Sequence, residues 1–358
     1  MTARVGRRAL LAGGAAALAA PAVARGTPVQ RWRMVTSWPR DLPGPGVAAK
    51  RLARRIEALS GGRIQVEVYG AGELVPAFEV LDAVARGVVE IGHSAAVFWT
   101  GKSRAAAFFT AFPYGLTPLE HMAWIEHGGG QELYDALYAE FGVKPFPAGN
   151  TGMSMGGWFK REIQSKDDLR GLRWRMPGLG GLLYRPLGVV QVSLAPGEIL
   201  PALQSGAVDA AEFAAPASDL ALGFHKVARY YYYPGVHEPN GSSEALVRLD
   251  LWEALEPELK AAVREACRAE NAFALAESER RNAAALRTLT ERHGVRLRRF
   301  PQDVLAATRA IARDLLAEFA REEGISGRIA RSYQAMLEEL GAWPKVARAS
   351  FLEARSGA

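Results

Sequence analysis

Two segments of this chain repeat one another. Glu79–Val89 reads EVLDAVARGVV and Glu198–Val208 reads EILPALQSGAV, with Glu, Leu, Ala, Gly and Val at the same offsets. In each copy, apolar residues at helical spacing (Val80, Leu81 and Val84; Ile199, Leu200 and Leu203) run into a glycine, Gly87 or Gly206, that stops the helix ahead of a strand. An alternating strand precedes each copy, carrying Ile64, Val66 and Val68 in the first and Leu172, Trp174 and Met176 in the second. A striped helix and a one-faced strand must bury their apolar sides against each other, so a chain that carries this unit twice is expected to form two similar α/β lobes.

Past the second copy the pattern turns helical. Glu258–His293 contains neither proline nor glycine, and if unbroken its 36 residues reach roughly 50 Å. One small lobe is too short for such a helix, which is expected to run along both lobes or bridge them. Gly294 is its stop signal, VRLRRF (Val295–Phe300) reads as a returning strand, and Asp303–Glu323 and Gly327–Leu340 read as further helices. The tail Pro344–Arg355 is amphipathic with no core left to join, which suggests packing on a second subunit.

The amino terminus indicates export. Met1–Ala24 has Arg4, Arg7 and Arg8, no acid, an apolar run Ala9–Ala20 and a small-x-small end at Ala22–Ala24. The pair Arg7-Arg8 followed by Leu10-Leu11 is similar to a twin-arginine signal. The apolar run is shorter than the roughly 20 residues that span a bilayer. Removing this segment takes three arginines from a net charge of +6 and leaves +3, and the remaining charges alternate along helices, so nucleic acid is not expected as a partner. The single cysteine, Cys267, excludes an internal disulfide, and stability must come from the core that roughly 330 mature residues can build.

Between Ser165 and Phe213 the chain places a lone arginine, Arg175, at one strand end and Glu212 at another. A guanidinium fork matches a carboxylate, while a glutamate facing the same anion requires a cation or a proton beside it. Catalytic alternatives are weaker. Gly152-Met153-Ser154-Met155-Gly156 fits the G-x-S-x-G elbow of a secreted serine hydrolase using Ser154, but KPFP precedes it and GWF follows, where an aliphatic strand and a helix are needed. The six histidines show no H-E-x-x-H spacing and read as core or surface residues. Gly178-Leu179-Gly180-Gly181 and Gly128–Gly130 lack a dinucleotide fingerprint. Glu212 and Glu238 are either a glycosidase pair or cation ligands.

Taken in order, WRMVTSWP, SGGRIQVEVYGAGELVPAFEVLDAV, PYGLTPLEH, AWIEHGGGQELYD, GVKPFPAGNTGM, MGGWF, GLRWRMPGLGG, PGEILPALQSGAVDAAEF and VARYYYYPGVHEP cover nearly all of the mature chain. Together they resemble the periplasmic solute-binding subunits of the tripartite ATP-independent (TRAP) transporters, in the branch that binds 2-oxo acids and related monocarboxylates. That resemblance implies a non-enzymatic α/β fold, a type II-like two-lobed periplasmic binding protein with a long lobe-spanning helix and C-terminal helices. The lobes implied are 28–150 with 239–275 and 151–238 with 276–325, followed by helices at 326–358 that pair in a homodimer. It implies a small carboxylate held by Arg175 and Asn150, and a sodium or calcium ion held by Glu212, Glu238 and the carbonyl of Phe213. TRAP membrane subunits would then receive the ligand.

This chain departs from the branch at three positions. Ser154 replaces a glutamine that contributes to the ion or substrate shell, Phe213 replaces a tryptophan, and Ala217 replaces a second tryptophan, which suggests room for an acid larger than pyruvate. Phe98 and Trp99 follow the strand of the first repeat and are expected to wall the cleft, with Trp38 and Tyr69 as further candidates.

Overall fold

The computed structural model describes residues 28–357, so the export segment 1–24 lies outside the described residues. Eleven strands form two sheets. The first contains β1 (Gln30–Thr36), β2 (Ile64–Tyr69), β3 (Ile91–Ser94), β4 (Val143–Asn150) and, from late in the chain, β10 (Ser242–Arg248). The second contains β5 (Gly157–Phe159), β6 (Arg173–Arg175), β7 (Val190–Val192), β8 (Ala210–Ala211), β9 (Tyr230–Tyr233) and β11 (Arg296–Arg299).

Strand order is β2-β1-β3-β10-β4 in one sheet and β11-β9-β5-β8-β6-β7 in the other. In both, a central antiparallel strand has arrived from the opposite lobe: β10 lies antiparallel between β3 and β4, and β5 antiparallel between β8 and β9. The repeat sits at matching places. Val80–Ala85 leads to β3 and Ile199–Ser205 leads to β8, each through a left-handed glycine, Gly87 at φ +71° and Gly206 at φ +78°. The strand matching β2 is β7, however, and not β6. The strand carrying Arg175 is flanked by parallel partners on both sides, as β1 is, which makes β6 the counterpart of β1.

The chain crosses between the sheets after β4, after β9 and through the long helix Pro257–Arg287, which a turn of π-helix extends to Arg292. Leu259, Val263, Ala266 and Cys267 of that helix are buried in the first lobe. Farther along, Ser278 Oγ donates to the Asn150 carbonyl (2.9 Å) and Asn282 binds both the Thr151 carbonyl (2.9 Å) and the Ala217 amide (3.1 Å), fastening the helix to the first crossing and to the second lobe. Helix Gln302–Arg321 also spans, with Val304 and Leu305 in the second-lobe core and Phe319 against Phe108 and Phe112 of the first. Helix Gly324–Leu340 covers the first lobe through Tyr333, whose hydroxyl accepts from the Leu116 amide (2.7 Å). Trp343, Val346 and Phe351 beyond it are more than 60 % exposed. No helix among the described residues is long and apolar enough to cross a membrane.

Candidate functional site

Parallel pairing of β6 with β8 sends the carboxyl ends of both strands to one edge, facing the first lobe, where ligands collect in α/β folds. Arg173 and Arg175 share a face of β6, yet Arg173 is exposed and paired with Asp209 (2.8 Å), whereas Arg175 at the strand end is buried. Its guanidinium donates from Nε and Nη2 to the Leu194 carbonyl (3.1 and 3.0 Å) and from Nη1 to the carbonyl and Oε1 of Glu212 (2.5 and 3.0 Å). These four contacts leave one of the five guanidinium N–H groups uncommitted. Burial draws the Arg175 pKa down, opposed by Glu212, Glu238 and Asp219.

Negative charge exceeds positive charge here. Glu212 is buried, and its Oε2 lies 3.1 Å from His237 Nε2, but the angle does not make a hydrogen bond, so Glu212 Oε2 and both ring nitrogens of His237 have no partner. Glu238 is pushed well above the usual carboxylate range by burial and then by Glu212, with Arg175 opposing. Asp219 is pushed up to about 7 by burial, with a smaller push from Glu212. The Tyr231 hydroxyl (2.7 Å) and Trp158 indole (2.9 Å), which donate to it, hold that rise in check. Three buried carboxylates surround one guanidinium, and such a set is stable only with protons or a cation added.

Residues of both lobes enclose a small cavity, about 30 Å³ measured as space open to the centre of a water molecule, enough for a water or two in this closed arrangement. Trp38, Phe98 and Thr110 come from the first lobe, and Arg175, Phe213 and Glu238 from the second lobe and the segment after β9. Trp38 meets Phe98 at 5.8 Å and Phe213 at 6.5 Å between ring centroids, and the Phe213 ring lies 6.0 Å from the guanidinium carbon.

Of the residues singled out in the sequence, Arg175, Phe98, Phe213, Glu238 and Trp38 line this cavity, with Glu212 bonded directly behind Arg175. Asn150 is buried at the crossing; its Nδ2 donates to Asn240 (2.9 Å) and its Oδ1 accepts from the Gly152 amide (2.8 Å), and it does not line the cavity. Trp99 does not line it either, because its indole is turned to Glu244 in the first-lobe core. Ser154 is buried between β4 and β5 with no partner for its Oγ, so no base stands ready to activate it, and no helix follows it as a nucleophile elbow requires. Tyr69 and Ala217 are also absent from the lining.

Sequence reasoning missed His237, read as an ordinary histidine, together with Asp219 and Thr110, whose Oγ1 has no partner although it borders the cavity. The position of His237 beside Glu238 was the one available signal. Among the described residues no three His, Cys, Asp or Glu side chains form a cluster suited to a metal ion, so a cation here would need backbone carbonyls beside the two glutamates.

Comparison with known proteins agrees with a binding cleft. The chain is 40 % identical over 329 residues, 92 % of its length and 90 % of the other, to a monocarboxylate 2-oxoacid-binding periplasmic protein of Nostoc sp.. A TRAP transporter solute-binding protein of Bordetella bronchiseptica, crystallised as a mixed-occupancy dimer with calcium and picolinate, superposes with TM-score 0.89 at 37 % identity, covering 92 % of this chain and 98 % of that one. A TRAP periplasmic solute-binding protein of Pseudoalteromonas atlantica with bound sodium and pyruvate gives TM-score 0.87 at 35 % identity over 91 % and 99 % of the two chains. None of these relatives is an enzyme. The model for family 7 of the bacterial extracellular solute-binding proteins, DctP, matches residues 35–323, and the chain belongs to that family.

Proposed function

We propose that this protein is a periplasmic receptor that closes its two lobes over a small 2-oxo or 2-hydroxy monocarboxylate together with a sodium or calcium ion, and delivers the acid to TRAP membrane subunits. One observation carries the reading: a buried arginine at a strand end shares a small interlobe cavity with Glu238 and is tied to Glu212, whose outer oxygen has no partner.

In this reading Arg175 meets the carboxylate. Its uncommitted N–H is directly available, and a second becomes available when Glu212 turns from Nη1, which restores the bidentate fork. The Thr110 hydroxyl, unpartnered at the cavity edge, is a neutral donor from the opposite lobe. Glu212, Glu238 and the Phe213 carbonyl would hold the ion, whose positive charge offsets the excess of buried carboxylates. Asn150 and Ser154 then act from behind the cavity, Asn150 by fixing the crossing. The tight cavity, with Ala217 outside its lining, favours an acid about the size of pyruvate over a bulky one.

The sheets support lobes of 28–150 with 239–275 and 151–238 with 276–325. The exposed apolar residues of 343–352 support a homodimer built on the helices of 326–358. Calorimetric titration with pyruvate and longer 2-oxo acids, with and without calcium or sodium, tests the assignment. Saturable binding strengthened by the ion is expected, and absence of heat with every monocarboxylate overturns it.

A further inference from the structure

Beside the cleft lies a larger chamber, about 310 Å³ against about 30 Å³ by the same measure, and Val97, Phe98 and Pro177 line both spaces. This shared wall is also where the lobes meet. Val97 and Phe98 belong to the turn Ala96–Trp99 that follows β3, and Pro177 and Gly178 follow β6 with its Arg175. Gly178 lies so close to the first lobe that a methyl group added to it would stand 3.1 Å from the Val97 Cβ.

The three shared residues differ in how far they can yield. Val97 is 4 % exposed and β-branched, and Pro177 is buried and held by its own ring. Phe98 is only partly buried. Its ring stands between Trp38 (5.8 Å between centroids) and Phe78 (5.0 Å). Of the two spaces, Trp38 lines the cleft alone and Phe78 the chamber alone, so the Phe98 ring is the partition between them. Beyond that partition the polar lining is neutral: Thr100, Gln191 and Ser193, with no charged side chain. Gln191 Nε2 is already engaged with the Met176 carbonyl (3.0 Å). An alkyl chain entering the chamber meets Phe78, Val97 and Pro177, whereas a second carboxylate finds no cation there.

We infer that the Phe98 ring sets the length of acid this receptor accepts, closing the cleft behind a pyruvate-sized ligand and standing across the path by which further carbons would enter the chamber. The chamber itself restricts any longer ligand to an uncharged tail. This inference rests on the cleft as a monocarboxylate site and adds the residue that limits the substrate.

Calorimetry on the full mature chain, with calcium present, compares pyruvate, 2-oxobutyrate, 2-oxovalerate and 2-oxohexanoate, with 2-oxoglutarate as the charged-tail control. In the native chain affinity falls with length, 2-oxohexanoate binding at least roughly tenfold more weakly than pyruvate. Phe98→Ala opens the wall and shifts the ratio of those two affinities at least roughly tenfold toward the longer acid, with Phe98→Leu in between. 2-Oxoglutarate binds to none of the three proteins. Native binding of 2-oxohexanoate as tight as that of pyruvate overturns the inference, as does a ratio unchanged by both substitutions, or 2-oxoglutarate binding that appears with Phe98→Ala. Far-ultraviolet circular dichroism confirms folding, and Phe98→Leu keeps a large apolar side chain in the seam should the alanine disturb it. If the native chain binds no monocarboxylate, the cleft reading falls and this inference with it. If it binds pyruvate and the order of lengths ignores residue 98, only the partition falls.

Discussion

Each lobe buries a glutamate near the cleft, and the two are treated in opposite ways. Glu244 of β10 accepts from the Trp99 indole (2.5 Å) and the Tyr134 hydroxyl, all within the first-lobe core. No cation lies among the groups that shift its pKa, and burial pushes it up to about 7. Glu212 of the second lobe is bonded to a guanidinium, keeps one oxygen without a partner, and adds to the charge burden of Glu238. The first carboxylate is finished by neutral donors and belongs to the core. The second is left electrically incomplete, and an incomplete buried charge marks a binding site better than burial or an extreme pKa does.

Removing the guanidinium should break this contrast most severely. Arg175→Ala leaves Glu212 buried without its cation, and a loss of about 3–5 kcal/mol in stability is expected by chemical denaturation, with carboxylate binding gone. Arg175→Lys separates the two effects: it retains charge but not the fork, and should recover much of the stability while affinity in calorimetry remains at least roughly tenfold reduced. A lysine variant that binds as wild type would remove the fork from the explanation.

Glu212→Gln converts the incomplete site into a neutral one. Acid affinity should fall roughly 10- to 100-fold, and its dependence on calcium or sodium should flatten. Chelation is the matching perturbation in the native chain: stripping divalent cations in sodium-free buffer should weaken acid binding and lower the melting temperature, with recovery on adding back ion. Unchanged affinity after stripping would mean that protons alone compensate the surplus carboxylates.

Glu244→Gln probes the finished carboxylate. Its folded pKa, about 7, stands above its unfolded value near 4.5, so the folded state binds the extra proton. The group's contribution is fully present below about pH 4.5 and is lost as pH rises to 7 and beyond, amounting to roughly 3 kcal/mol. The glutamine variant should therefore lose stability with rising pH less steeply than the native chain, with carboxylate affinity unchanged. An equal pH slope in both proteins would show that Glu244 ionises without cost.

The smallest effect is expected at the terminus. Truncation after Leu340 removes exposed Trp343, Val346, Phe351 and Leu352 and should leave both glutamates and acid affinity untouched while shifting elution from dimer to monomer. An unchanged elution volume would place the dimer contact elsewhere.

Much of the architecture was legible because it is written in local periodicity. The glycine-capped repeat and the proline-free run of the long helix each follow from spacing along the chain. Arg175 and Glu212 stood out because charged residues at strand ends are conspicuous in sequence. His237, Thr110 and Asp219 did not, because little local distinguishes them beyond the position of His237 beside Glu238: one lies in the segment after β9, one in a turn of the first lobe and one in a helix packed under Trp158 and Tyr231. Trp99 misled for the same reason. Its neighbour Phe98 faces the cavity, whereas Trp99 is drawn to a carboxylate 145 residues later in the chain.

The sequence alone determined two α/β lobes and a helix long enough to span them, and it singled out an arginine with an acid nearby, since these depend on side-chain period and residue chemistry over short stretches. Tertiary structure decided the rest. It exchanged β5 and β10 between the sheets and made β6 the counterpart of β1. It also gathered Arg175, Glu212, Glu238 and His237 from three separate segments into one buried edge. Whether a buried charge is complete depends on every group within a few ångströms of it, and those neighbours are set by packing between lobes, not by spacing along the chain.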